Sequence, residues 1–110
     1  MAERDISSGS WLAHQSNRWN VIFNLDQTPD GKLSGSADAT PIDAGNSMHG
    51  NLDTNASQVQ ANSVVITVNW TQGSRGQYVG NFDLNGCLVG NTFDLEHPSS
   101  QANWFSDKFL

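Results

Sequence analysis

Histidine, serine, carboxylates, cysteine and tryptophan are the residues here whose spacing decides what chemistry is open to the chain. His14, His49 and His97 fall in three separate segments with no His-x-His or His-x-x-x-His spacing, so no local pair of zinc ligands is formed. Histidine, serine and aspartate are all available for a hydrolytic triad, yet no Gly-x-Ser-x-Gly turn frames any serine as a nucleophile. The carboxylate pairs Asp26/Asp30 and Asp38/Asp43 flank turns and loops, where aspartate is favoured because its side chain bonds the local backbone, and they give no support to a glycosidase dyad. The single cysteine, Cys87, excludes an intrachain disulfide and a multi-cysteine metal site, and reads as a small strand residue. What remains is four tryptophans, Trp11, Trp19, Trp70 and Trp104, among many Asn, Asp and Gln residues. An indole offers a flat apolar face and planar amides offer paired donors and acceptors, which is the chemistry of binding. The expectation is a protein that is not an enzyme and needs no cofactor.

Side chains of this kind must be held by a rigid frame, and the pattern that recurs along the chain is period two. Trp19, Val21, Phe23 and Leu25 alternate with polar residues over 18–25, and Val64, Ile66, Val68 and Trp70 alternate with Val65, Thr67 and Asn69 in a run dominated by β-branched residues. Other strands are expected over 9–12, 32–38, 48–52, 76–82, 87–95 and 102–109, the last bringing Trp104, Phe105 and Phe109 to burial. Thr28-Pro29-Asp30-Gly31 and Asn85-Gly86 supply hairpin turns, the latter of type I′; 40–47 is a loop and the most plausible lid. That makes eight short antiparallel strands and no amphipathic helix, enough to close an up-and-down barrel without exposed edges. A Greek-key sandwich would need a long crossing connection, for which only 40–47 and 54–61 are available. Residues 1–8 read as a flexible N-terminal segment and 9–110 as a single all-β barrel domain.

Composition narrows the partners. Five Lys plus Arg against eleven Asp plus Glu leave a formal net charge of −6, which repels a phosphate backbone, so nucleic acid is not expected. No apolar run is long enough to cross a bilayer and the first residues contain no hydrophobic secretion segment, so the expectation is a soluble chain without an export signal, with compartment open.

The opening Gly9-Ser10-Trp11, the run Asp30-Gly31-Lys32-Leu33-Ser34-Gly35 and the strand end Thr67-Val68-Asn69-Trp70 resemble the avidin and streptavidin family in order and spacing. Gly76-Gln77-Tyr78-Val79-Gly80 is similar to a streptavidin strand, Asn85 to Thr92 to the avidin hairpin, and Ser106-Asp107-Lys108-Phe109 to the family's last strand. The resemblance implies an eight-stranded antiparallel barrel holding biotin at its open end, with tryptophans flanking the bicyclic ring and neighbouring subunits completing the site. It implies a ring-stacking role for Trp70 and a hydrogen-bond acceptor role for Asp107. Trp104 stands closer to Asp107 than the family's last tryptophan stands to its acidic position, so its role as the residue reaching a neighbour is less directly carried over. Where the family supplies an asparagine and a serine for the ureido oxygen, this chain has Ala13 and then Ser16-Asn17; in the third strand Ala37 and Ala39 replace two hydroxyl residues. Each missing bond to a buried oxygen costs roughly 1 to 3 kcal/mol, so biotin affinity is expected to be reduced. A further family tryptophan is replaced by Asp94, which either makes one wall of the pocket polar or faces outward.

The expected function is therefore a non-enzymatic barrel that binds a small molecule, biotin or a relative, through Ser16, Asn17, Trp70, Trp104 and Asp107, as a homo-oligomer (dimer or tetramer). A glycan-binding lectin on the same barrel and a structural or protein-interaction barrel with a filled interior are the alternatives. Trp11 and Trp19 read as core filling.

Overall fold

The computed structural model describes residues 5–7, 9–43 and 45–107. Its strands are β1 (Trp11–Gln15), β2 (Trp19–Gln27), β3 (Leu33–Pro41), β4 (Met48–Leu52), β5 (Gln58–Gln60), β6 (Ser63–Trp70), β7 (Arg75–Phe82), β8 (Leu88–Asp94) and β9 (Gln101–Ser106). Lys108 and Phe109 of the terminal motif lie outside the described residues, as do Met1 to Arg4 of the N-terminal segment. Within that segment Ile6 is buried, its N–H donating to Gln27 Oε1.

The strands are antiparallel neighbours in the order β4-β3-β2-β1-β9-β8-β7-β6, and β4 pairs with β6 to close an eight-stranded barrel. Alternation explains which face each strand buries. Val21, Phe23 and Leu25 of β2 point inward while Asn24 and Asp26 face out; Val64, Ile66, Val68 and Trp70 of β6 do the same. Three hairpins share one geometry: a turn in which the glycine N–H bonds to the carbonyl three residues earlier (Thr28, Trp70 and Asp83), with Gly31, Gly73 and Gly86 at φ 93°, 109° and 88°. Asn85-Gly86 is thus not a type I′ turn. Only Gly86 takes positive φ, because Asp83 Oδ1 accepts from the N–H groups of Asn85 and Cys87 and holds a longer turn.

The segment 54–61 is not a crossing connection either. It makes a single 3-10 turn (Thr54–Ala56) and then β5, which pairs with the first half of β6 while β4 pairs with the second half. β4 and β5 are one broken strand on the same side of β6. The break is held by two buried hydroxyls: Ser57 Oγ accepts from the Thr67 N–H at 2.9 Å, and Thr67 Oγ1 donates to the Ala56 carbonyl at 2.8 Å.

Aromatic rings fill the lower half of the interior. Trp11 stacks on Trp104 at 6.2 Å and tilts against Phe23 at 4.9 Å; Tyr78 meets Phe23 and Trp104 edge-on at 5.2 and 5.8 Å. Such pairs add about 0.5–1.5 kcal/mol each beyond the area they bury. Ala13 and Ala37 are completely buried beside them, leaving room for the large rings on neighbouring strands. Among the described residues no helix is long and apolar enough to cross a membrane.

Candidate functional site

The interior stays unfilled at one end, where the β1–β2 turn, the start of β4, the β6–β7 turn and the β8–β9 loop converge. A cavity of about 200 Å³ opens there. An apolar cavity of roughly 150 Å³ holds a benzene ring, so the space takes one ring system. Tyr78 and Thr92 line it below, Trp19, Met48, Ala39 and Trp70 form apolar walls, and Asn17, Gln72, Asp94 and Gln101 form a polar rim.

The four tryptophans divide by what their indole N–H does. Trp11 Nε1 donates to the Ile6 carbonyl at 3.0 Å and Trp104 Nε1 to the Asn91 carbonyl at 3.0 Å. Both are at most 2% exposed and serve the core. Trp70 and Trp19 line the cavity, and neither indole N–H bonds any described residue. Trp70 as a whole is 8% exposed, and no buried side-chain donor among the described residues lacks a partner, so its indole N–H is open to the solvent-filled mouth and free to donate to a ligand. Its ring lies across β7 because residue 76 is glycine: a Cβ there would stand 3.1 Å from Trp70 Nε1.

Tyr78 closes the floor. Its hydroxyl donates to Gln15 Oε1 at 2.5 Å, and burial pushes its phenol well above the ordinary range, offset in part by a hydrogen bond with Thr92. On β8, Leu88, Gly90, Thr92 and Asp94 share one face, so Asp94 belongs to the inward row at the mouth, opposite Gly76 in register. The β3–β4 loop is tied to the β1–β2 turn by Arg18, whose Nε and Nη2 donate to Asp43 at 2.6 and 2.9 Å, raising the guanidinium pKa and lowering that of the carboxyl; neither Arg18 nor Asp43 lines the cavity.

Of the residues expected at the site, Asn17 and Trp70 line this cavity, and Asn17 Oδ1 accepts from Gln15 Nε2. Ser16, Trp104 and Asp107 do not. Ser16 Oγ accepts from the Asn103 N–H, fastening the β1–β2 turn to β9, and with Trp104 it borders a separate open depression of about 410 Å³ on the outer wall. Asp107 lies beyond the far end of β9, accepting from the Leu12 N–H at 2.9 Å. The inward row of β9 is Ala102, Trp104 and Ser106, so alternation turns Asp107 outward. Trp19, assigned to the core by its pattern, lines the cavity instead: period two fixes the face of a strand residue and not its height in the barrel. Comparison with protein-family models, with curated proteins and with solved structures finds no match.

Proposed function

We propose that this chain is a non-enzymatic binding protein that holds a small, ring-containing molecule in the open end of its barrel, between Trp70 and Trp19 and above Tyr78. One observation carries the reading: two tryptophans with unspent N–H donors face a ring-sized cavity, whereas the two in the core have theirs bonded to backbone carbonyls. The aromatic lower half of the barrel argues against a fully open tube, and the cavity above it against a wholly filled one.

Biotin is the first compound to test, on the resemblance of the strand motifs to avidin. Ala37 and Ala39 stand where that family has two hydroxyl residues for the ureido oxygen, and Ala13 where it has one of its other two polar residues, so any binding should be weak. Calorimetric titration should give saturable binding at one ligand per chain, and Trp70→Phe should weaken it about tenfold, or ~1.4 kcal/mol, with melting nearly unchanged. Absence of binding would discard biotin as the ligand; unchanged affinity in the variant would discard the role of Trp70. A lectin is the second reading, favoured by the rim amides of Asn17, Gln72 and Gln101 beside indole faces, and a glycan screen tests it.

Homo-oligomerisation belongs to the same proposal. Val79, Val89 and Phe105 are exposed on adjacent strands of the outer wall, with Val89 directly opposite Phe105, and an apolar stripe of this kind suits a second copy. A single monomer mass under native conditions would count against it.

A further inference from the structure

We infer that the ligand of the open-end cavity is a flat-ringed cation, its positive group set against Asp94 and its ring flanked by Trp70 and Trp19. The inference rests on the reading of the cavity as a small-molecule site and names the class of ligand. Asp94 stands at the inner edge of the mouth, on the inward row of β8, opposite the glycine over which the Trp70 indole lies. Its Oδ1 accepts from the Glu96 N–H at 2.9 Å, which fixes the carboxylate. Its Oδ2 has only His97 nearby, at 3.6 Å, longer than a direct hydrogen bond, and the His97 side chain is 75% exposed.

Among the described residues, no side-chain ammonium or guanidinium is left over to serve that carboxylate. Arg75 lines the cavity, but its guanidinium lies along the outer wall, donating to Asn69 Oδ1 and Asp53 Oδ2, both at 2.9 Å. Arg18 is occupied by Asp43, and Lys32 follows the β2–β3 turn at the other end of the barrel. The chain's formal net charge of −6 favours the approach of cations over anions. Indole is the aromatic face on which a cation binds best, and two of them stand at the cavity walls. A carboxylate ligand would have to approach Asp94 with no free cation to receive it.

Three probes of nearly equal shape separate the cases: benzamidine (cationic), benzamide (neutral) and benzoate (anionic), titrated into the whole chain by calorimetry and tryptophan fluorescence. Benzamidine should bind about tenfold or more tighter than benzamide, benzoate should not bind, and added salt should weaken benzamidine alone. Asp94→Asn keeps the acceptor for the Glu96 N–H, so it should retain the fold by melting, leave benzamide affinity unchanged and shrink the preference to about twofold or less. Equal affinity for benzamide, tighter binding of benzoate, or a preference that persists in Asp94→Asn would overturn the inference; so would silence from all three probes. If biotin, whose side-chain carboxylate is anionic at neutral pH, or a neutral glycan saturates the cavity instead, the small-molecule reading stands and only the charge assignment falls. Silence there too removes both.

Discussion

Tyr78 is the residue at which the filled and open halves of the barrel meet. Its ring belongs to the aromatic core, and its hydroxyl faces the cavity and holds Gln15. Because burial raises its pKa above the ordinary 10.0, the unfolded chain loses the phenolic proton at a pH where the folded chain keeps it. The unfolded state then binds fewer protons, so this contribution is intact below about pH 10 and is lost as pH rises beyond that. Tyr78 is the one tyrosine in the sequence, which makes the test clean. Tyrosinate absorbance should appear only as the protein unfolds, and Tyr78→Phe should remove that part of the alkaline loss at a cost of about 1 kcal/mol at neutral pH, measured by denaturant titration. An absorbance rise at pH 10 in the folded protein would contradict the burial argument. At this same scale Trp70 and Asn17, singled out through the resemblance of their motifs, do line the cavity: Trp70 ends the inward row of β6 and Asn17 lies in the turn at the open end. Asp107 was not, since a shift of one residue in a strand reverses its face and only pairing with β1 settles the register.

Among the elements, the broken strand formed by β4 and β5 depends on side chains more than on backbone pairing. Ser57 and Thr67 are buried and bonded to one another's segments, so Ser57→Ala leaves the Thr67 N–H without an acceptor in the interior. The expected loss is about 1–3 kcal/mol by denaturant unfolding, and a loss below ~0.5 kcal/mol would mean that water reaches the break. β2 and β6 were readable because each carries four apolar residues at period two, and β4 begins and ends at Met48 and Leu52, where it is expected from sequence. β5 was not readable: Gln58-Val59-Gln60 is too short to show a period, and it is a strand only because β6 is long enough to pair on one side with two partners. Asp94 stayed open for a related reason. Gly90 gives β8 no apolar side chain at its middle inward position, so the inward row is hard to recognise in the sequence alone.

At the scale of the whole molecule, the outer wall and the open end make separable claims. Phe105 is 53% exposed, contacts the His14 ring at 5.2 Å and points away from the cavity. Phe105→Lys should therefore shift any oligomer toward monomer in native mass measurements while ligand binding in the cavity persists; loss of both together would mean that a second copy helps to build the site. The seam between β1 and β9 joins distant parts of the chain, with Leu12 and Asp107 hydrogen-bonded across 95 positions. Both ends of the described chain thus meet at the barrel end away from the cavity, and the Asp83–Cys87 turn lies at that end as well. A circular permutant, its old ends joined by a short linker and new ends cut at Leu84, would keep every strand pair and leave the ligand end untouched. The order in which the strands are synthesised would change, and the barrel they close would not.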